Sequence, residues 1–174
     1  MNKSLFLERL QRERDQFELL LNRVGFMRRL TVRGVLGSLS IKDLLADILS
    51  REQFIADRLN EILHGEVYAA TSSFTMLENF QSQFGVPDYE SPLINKDRPL
   101  PFVMEKYKNI ALDEIVSQEL AVYTNIIDAL QKLTHHRCLD HDLFHRIAEH
   151  TYKSYRRTSG LINRWLKKIA AQSK

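Results

Sequence analysis

Apolar residues recur every three or four positions in four long segments of the chain, with polar and charged residues between them. This spacing is typical of helices that bury one face. The pattern predicts helices over 4–24, 41–64, 112–133 and 140–170. Because no segment alternates apolar and polar residues with the period of a strand, we expect an all-α fold.

Local signals define the second helix and the segment that follows it. Ser40 is a good N-cap and Asp43 lies three residues later, as in a capping box. Gly65 follows the last apolar turn and predicts the helix end. Segment 67–100 is polar, and all four prolines lie in it or directly after it, so we expect a long crossover, with a short helix over 73–83. These features predict a four-helix bundle with the crossover between its second and third helices.

Length and composition restrict the class of protein. The 174 residues suit one domain over 1–174. No apolar run is long enough to cross a bilayer, and the charged residues close behind Met1 argue against a secretory signal peptide. Cys138 is the only cysteine, so no internal disulfide can form and a cytoplasmic location is expected. A net charge of +3 is too small to indicate a nucleic-acid partner by itself.

Three glutamates lie on the apolar stripes of three different predicted helices: Glu13, Glu52 and Glu119. Burying a carboxylate is costly unless it is paired or hydrogen-bonded. The three residues therefore indicate acid–base groups of raised pKa in a polar cavity, or carboxylate metal ligands, or stripe-edge positions that reach solvent or arginine partners. Glu52 is the preferred pocket residue because it shares the second helix with Asp47.

Ser154 and Thr158 interrupt the apolar stripe of the last helix one turn apart, so both point the same way. With Asp47 and Tyr155 they could form a ligand-binding pocket. Alternatively, the two hydroxyls bond to carbonyls of the preceding turn, and Asp47 pairs with Arg51 on the surface.

Histidines near the start of the last helix are candidate metal ligands. His141 and His145 are four residues apart, which is metal-ligand spacing. His150 lies one turn before Ser154 and could supply an imidazole to the pocket. The alternative is a surface loop that caps the helix, since Asp140 is a suitable cap.

The end of the chain is basic, and four cations fall on one outward stripe of the last helix: Lys153, Arg157, Arg164 and Lys168. Such a stripe could meet phosphates. Few aromatic residues lie on it to stack with bases, so a solvated helix face is the preferred interpretation.

Two segments carry a resemblance to a known family. Residues 37–47, Gly-Ser-Leu-Ser-Ile-Lys-Asp-Leu-Leu-Ala-Asp, resemble the start of the second helix in the DinB/YfiT-like superfamily, and more narrowly in its ClbS/DfsB branch. Residues 151–158, Thr-Tyr-Lys-Ser-Tyr-Arg-Arg-Thr, resemble that branch's Thr-Tyr-x-His-Tyr-x-x-His segment. The resemblance covers most of the chain and implies a four-helix bundle in up-down-down-up order.

Many members of that family hold a divalent metal with three histidines, one from the second helix and two from the fourth. The matching positions here are Asp47, Ser154 and Thr158, so all three histidines are replaced. The resemblance therefore implies a degenerate metal site and no cofactor, while a divalent metal bound through other ligands stays open. The ClbS/DfsB branch is associated with protection against reactive small molecules.

The leading hypothesis is a bacterial protein that binds a small reactive compound and sequesters or hydrolyses it. Glu52 or Asp47 would act as general base, and Ser154, Tyr155 and Thr158 would hydrogen-bond the ligand. The alternatives are a non-enzymatic homodimeric binding module, a metal-dependent transferase and a DNA-associated protein. The expected partners are a small-molecule ligand and a second copy of the chain, with neither membrane nor nucleic acid.

Overall fold

The computed structural model describes residues 2–25, 29–64, 98–134 and 143–173. These residues form helices and connecting segments without a strand, which confirms the expected all-α fold for this part of the chain. The helices are α1 (Lys3–Val24), α2 (Ile41–His64), α3 (Pro101–Tyr107), α4 (Leu112–Lys132), α5 (Leu143–His150) and α6 (Tyr152–Gln172).

The first helix agrees with its prediction. The side chain of Asn2 caps it by accepting a 2.9 Å hydrogen bond from the Leu5 amide. Gly25 follows the last residue with φ +93°, a left-handed value that favours glycine. The apolar stripe of α1 is buried, and the stripe also buries two charged residues, Glu13 and Arg14.

The predicted capping box at the start of α2 is confirmed. The Ser40 amide donates to the Asp43 carboxylate at 2.8 Å, and the Asp43 amide donates to Ser40 Oγ at 3.3 Å. From Leu44 to Asp57 the helix is buried around nearly its whole circumference, because α3, α4, α5 and α6 all pack on it. α2 is therefore the central helix, and polar residues on any of its faces are shielded from water.

The prediction missed α3, a short helix at the end of the proline-rich region. Pro101 occupies its first turn, where a proline loses no hydrogen bond. Val103 and Tyr107 are buried on α2, and the Tyr107 hydroxyl donates to Gln53 Oε1 at 3.2 Å. The predicted short helix over 73–83, and residues 67–97 of the expected crossover, lie outside the described residues.

The last predicted helix was wrong in one respect, because the structure divides it into α5 and α6 at Thr151. Thr151 has φ −124° and ψ −103°, which is not helical. Its buried hydroxyl donates to the Ile147 carbonyl at 2.6 Å, a local bond of the kind that competes with the helix ladder. The break separates α5 from α6, and α6 carries the candidate residues Ser154, Tyr155 and Thr158. Residues 140–142, including the expected cap, lie outside the described part of the chain.

Among the described helices, none combines the length and apolarity that crossing a bilayer would require.

Candidate functional site

Four polar side chains from four helices meet in the core, and we call them the buried cluster: Arg14, Glu52, Glu119 and Tyr155. Arg14 holds Glu119 through two bonds, Nη1 to Oε1 at 2.5 Å and Nη2 to Oε2 at 2.6 Å. The Tyr155 hydroxyl donates to Glu52 Oε1 and accepts from Arg14 Nη1 at 3.4 Å. Glu52 is 0% exposed, and its Oε1 lies 3.6 Å from Arg14 Nη1. The cluster thus links α1, α2, α4 and α6 through polar contacts.

Aromatic rings enclose the cluster. The Arg14 guanidinium lies over the Tyr123 ring, with Cζ 3.9 Å from the ring centroid. Phe17 stacks on Tyr155 with ring centroids 5.3 Å apart and an interplanar angle of 5°. The four side chains of the cluster are also buried, so their charges interact more strongly than they would at a surface.

The cluster contains two carboxyl groups and one cation, and this imbalance decides where a proton resides. Burial raises the pKa of Glu52 well above its ordinary value, and the negative charge of Glu119 raises it further, against the effect of Arg14. Burial opposes the charged form of Arg14, but its bonds to Glu119 outweigh this and raise the Arg14 pKa. Burial and the neighbouring Glu52 also raise the Tyr155 pKa. A protonated Glu52 beside an Arg14–Glu119 ion pair gives an electrically neutral cluster.

The second oxygen of Glu52 supports the protonated form. No donor among the described residues reaches Glu52 Oε2, although the atom is buried. A buried carboxylate oxygen without a donor is costly, whereas a protonated carboxyl is itself a donor. A protonated Glu52 can hydrogen-bond to Glu119, which is a further cause of its raised pKa.

Asp47 lies elsewhere on α2 and has a different environment. Arg51 Nε donates to its Oδ2 at 2.8 Å, while no donor in the described ranges reaches Oδ1. The predicted Asp47–Arg51 pair therefore forms, but the prediction that it lies on the surface was wrong, because both residues are buried. Burial raises the Asp47 pKa, against the opposing charges of Arg51 and Arg157. The influence of Arg157 indicates that Asp47 faces α6.

Ser154 and Thr158 are both buried on α6, as the interrupted stripe predicts. The positions that the family resemblance assigns to metal ligands are thus all inside the protein, but they do not fit a divalent metal. The Asp47 carboxylate already pairs with a buried guanidinium, so a metal there would lie beside a second cation. Neutral serine and threonine hydroxyls are poor ligands in place of imidazoles.

The other candidate metal ligands lie in different places. His145 is exposed on α5, and His141 lies outside the described residues. His150 is buried and packs against Phe54, with ring centroids 4.7 Å apart. Within the described ranges, no three His, Cys, Asp or Glu side chains are grouped closely enough to hold a metal ion.

Two of the four cations in the predicted basic stripe pair with a carboxylate at the end of α5. Glu149 accepts from Lys153 at 2.5 Å and from Arg157 Nη1 at 3.3 Å. Arg164 and Lys168 are exposed further along α6.

Two clefts approach the buried cluster from either side of α1. The larger, with a volume of about 700 Å³, lies between α1 and α6, and Tyr155 and Phe17 form part of its wall. Arg156 and Glu13 form an ion pair there, and the Arg156 bond lowers the Glu13 pKa. The smaller, of about 170 Å³, lies between α1 and α4 and reaches Arg14 and Glu119. The cluster thus contacts the walls of both clefts.

Sequence reasoning identified Glu13, Glu52, Glu119 and Tyr155 but missed Arg14, on which the cluster depends. A signal was present, since Arg14 lies four residues after Leu10 and three before Phe17, on the apolar stripe of α1. A long arginine at such a position is usually assigned to the stripe edge, because it can extend to solvent.

The chain was compared with protein-family models, curated proteins and solved structures, and none of the three comparisons found a match. What the site does must therefore follow from its own residues.

Proposed function

We propose that this protein binds a small organic molecule in the cleft between α1 and α6, and that Glu52 and Tyr155 exchange a proton with the bound molecule. The observation that carries the proposal is the Tyr155 side chain, which contributes to the cleft wall while its hydroxyl donates to the buried Glu52. A cleft of about 700 Å³ has the size of a small-molecule site.

The chemistry assigned to Glu52 is general acid–base catalysis without a metal. A carboxyl whose pKa is raised by burial holds a proton near neutral pH and can release it to a substrate. Tyr155 contacts Glu52 and also contributes to the cleft wall, so it is the residue assigned to relay the proton. Asp47 is the weaker candidate for this role, because Arg51 binds one of its oxygens. Ser154 and Thr158, which are buried on α6, are not among the residues that line this cleft.

We also propose that the bundle has the DinB-like up-down-down-up order and a degenerate metal site, as in the ClbS/DfsB branch. Contacts along the helices support this order. From α1 to α6 they advance together, from Glu13–Arg156 to Arg23–Asn163, as in parallel helices. Between α2 and α6 they run in opposite directions, since Glu52 meets Tyr155 while Asp47, earlier in α2, is close enough to Arg157, later in α6, for the charge of Arg157 to act on it.

Contacts between α2 and α4 support the placement of α4 in the same way. Asn60 donates to Asn125 at 3.0 Å, and Glu52, earlier in α2, lies beside Glu119, earlier in α4. These contacts advance together, as in a parallel α2–α4 pair. A bundle whose second and third long helices are parallel needs a long crossover between them, and 67–100 would supply it.

The binding proposal is tested by screening a small-molecule library with two-dimensional amide NMR. Ser159→Trp fills the α1–α6 cleft, and Ser117→Trp is a matched control on the exposed side of α4. We expect ligands that shift the amides of Tyr155 and Gly160 in the wild type and in the control, but not in Ser159→Trp. Ligands that bind Ser159→Trp as well as the wild type, or a library without any ligand for this cleft, would contradict the proposal.

The proton-transfer part is tested on a ligand from that screen that reacts. Glu52→Gln should lower its turnover while leaving its affinity within about threefold, since Glu52 lies behind Tyr155. Tyr155→Phe should lower turnover as well, because the hydroxyl that is bonded to Glu52 is lost. Unchanged turnover in Glu52→Gln would remove Glu52 from the mechanism.

Self-association is a second candidate function, favoured by one observation. Leu19 is 67% exposed on the rim of the α1–α6 cleft. An exposed leucine beside a groove suits a helix–helix contact between two copies. Light scattering of the wild type and of Leu19→Lys should show a dimer that the substitution dissociates, and a monomeric wild type at micromolar concentration would exclude this function.

A further inference from the structure

The smaller cleft, between α1 and α4, is a separate feature from the site proposed above. Its volume of about 170 Å³ equals that of roughly six water molecules in the liquid. The walls are apolar and include Leu21, Leu45, Val116 and Leu120. Its charged lining consists of one cation, Arg14, and two carboxylates, Glu18 and Glu119.

We propose that this cleft binds a small organic cation, an ammonium group carried on an apolar body. Around Arg14 the negative charges exceed the positive one. Its Nε binds Glu18 at 2.9 Å, its two terminal nitrogens bind Glu119, and Glu52 lies 3.6 Å away. No other cation among the described residues lines the cleft. An entering ammonium can take the place of the Glu52 proton in balancing these charges.

An anionic ligand does not fit the same place. Each guanidinium nitrogen of Arg14 already donates to a carboxylate, and the Tyr123 ring covers the guanidinium. An anion would therefore meet the negative charges of Glu18 and Glu119, which already share the positive charge of Arg14. The apolar walls favour a ligand with a hydrocarbon body over a hydrated metal ion.

Cation binding should also be linked to the proton on Glu52. In the empty site that proton offsets the excess negative charge of the buried cluster. A bound ammonium supplies a positive charge instead, so it stabilises the ionised form of Glu52 and favours release of the proton to solvent. By linkage, the affinity for the ammonium should rise with pH while Glu52 titrates. This behaviour separates binding at the cluster from binding at an ordinary surface carboxylate.

Three probes of the same size and different charge test the proposal: n-pentylammonium, n-pentanol and n-pentanoate. We expect n-pentylammonium to shift the amides of Leu21, Val116 and Leu120 saturably, with an affinity at least about tenfold above that of n-pentanol. Calorimetry in two buffers of different ionisation enthalpy should detect up to one proton released per ammonium bound. Pentanoate should produce no shifts in these amides.

Two exposed leucines provide a matched pair of variants. Leu120→Lys places a cation at the mouth of the cleft, whereas Leu5→Lys makes the same change at an equally exposed position of α1 outside it. Leu120→Lys should weaken n-pentylammonium binding at least about tenfold, and Leu5→Lys should leave it unchanged. Glu18→Gln, at a half-exposed side chain, should weaken binding as well.

Three outcomes would overturn the proposal: equal affinity for n-pentylammonium and n-pentanol, absence of saturable shifts with n-pentylammonium, or equal effects of the two lysine substitutions. Ser159→Trp leaves this cleft open, so it should bind n-pentylammonium normally. Leu120→Lys therefore tests the cation site and Ser159→Trp tests the α1–α6 site, so that failure of one proposal can be distinguished from failure of the other.

Discussion

Replacing Glu52 by glutamine should make the protein more stable at neutral and alkaline pH. The amide has the shape of a protonated carboxyl: its oxygen can accept from Tyr155 as Glu52 Oε1 does, and its NH₂ can donate to Glu119. At pH 5 the two proteins should therefore have free energies of unfolding within about 1 kcal/mol of each other.

The difference should then grow with pH. The unfolded chain loses the Glu52 proton above an ordinary pKa of about 4.3, whereas the folded wild type retains it because burial raises the pKa. Between the unfolded and the folded pKa, the folded state binds more protons than the unfolded state. The stabilisation that Glu52 contributes to the wild type is therefore complete below the unfolded pKa and decreases as pH rises. The fall is about 1.4 kcal/mol per pH unit until the folded pKa is reached. Glutamine does not titrate and loses nothing.

Urea unfolding of both proteins at pH 5, 6, 7 and 8 measures the effect. Other titrating groups, including Asp47, occur in both proteins and cancel in the difference. Ser117→Ala, on the exposed side of α4, is the control, because it neither adds nor removes a titrating group and its difference from wild type should be independent of pH. A difference between Glu52→Gln and wild type that stays constant from pH 5 to 8 would refute the assignment of a proton to Glu52.

Three further predictions concern the cluster and the bundle. Arg14→Met leaves Glu119 buried without its cation and should cost about 3–5 kcal/mol of stability, while Arg14→Met combined with Glu119→Met should recover most of it in the same urea experiment. A single variant no less stable than wild type would show that the pair is not buried. Tyr155→Phe removes the hydroxyl bond to Glu52 and should cost about 1–3 kcal/mol, whereas a loss below about 0.5 kcal/mol would argue against that bond. Histidines at the three family metal positions, together with Arg51→Gln, should create a site that retains zinc and raises Tm when zinc is added; a Tm unaffected by zinc would contradict the DinB-like arrangement. These positions are Asp47, Ser154 and Thr158.

The sequence predicted the long helices because their apolar spacing is continuous over many turns. The start of α2 was equally predictable, since Ser40 and Asp43 interact within one turn of chain. The break at Thr151 was not, because a single threonine within a helical pattern is compatible with an uninterrupted helix, and only its packing and local hydrogen bond distinguish the two. The short helix α3 was missed because the prolines before it predict a loop.

For the candidate site, the sequence placed three glutamates on apolar stripes, but it left open whether they are buried or reach solvent, and it did not show what they contact. Glu13, Glu52 and Glu119 occupy stripe positions, and all three are buried. Their partners depend on how the helices are rotated against one another, which periodicity within one helix does not define. The role of Arg14 therefore depends on how α1 packs against α4 and α6, which the sequence does not define.

The measurement that tests the central claim most directly is the titration of the Glu52 carboxyl carbon in protein labelled with ¹³C on glutamate side chains, with the signal assigned by its loss in Glu52→Gln. We predict the chemical shift of a protonated carboxyl at pH 7, and a titration displaced well above the ordinary glutamate range, because Glu52 is buried beside Glu119. An ionised carboxylate at pH 7 that titrates near about 4.3 would contradict it.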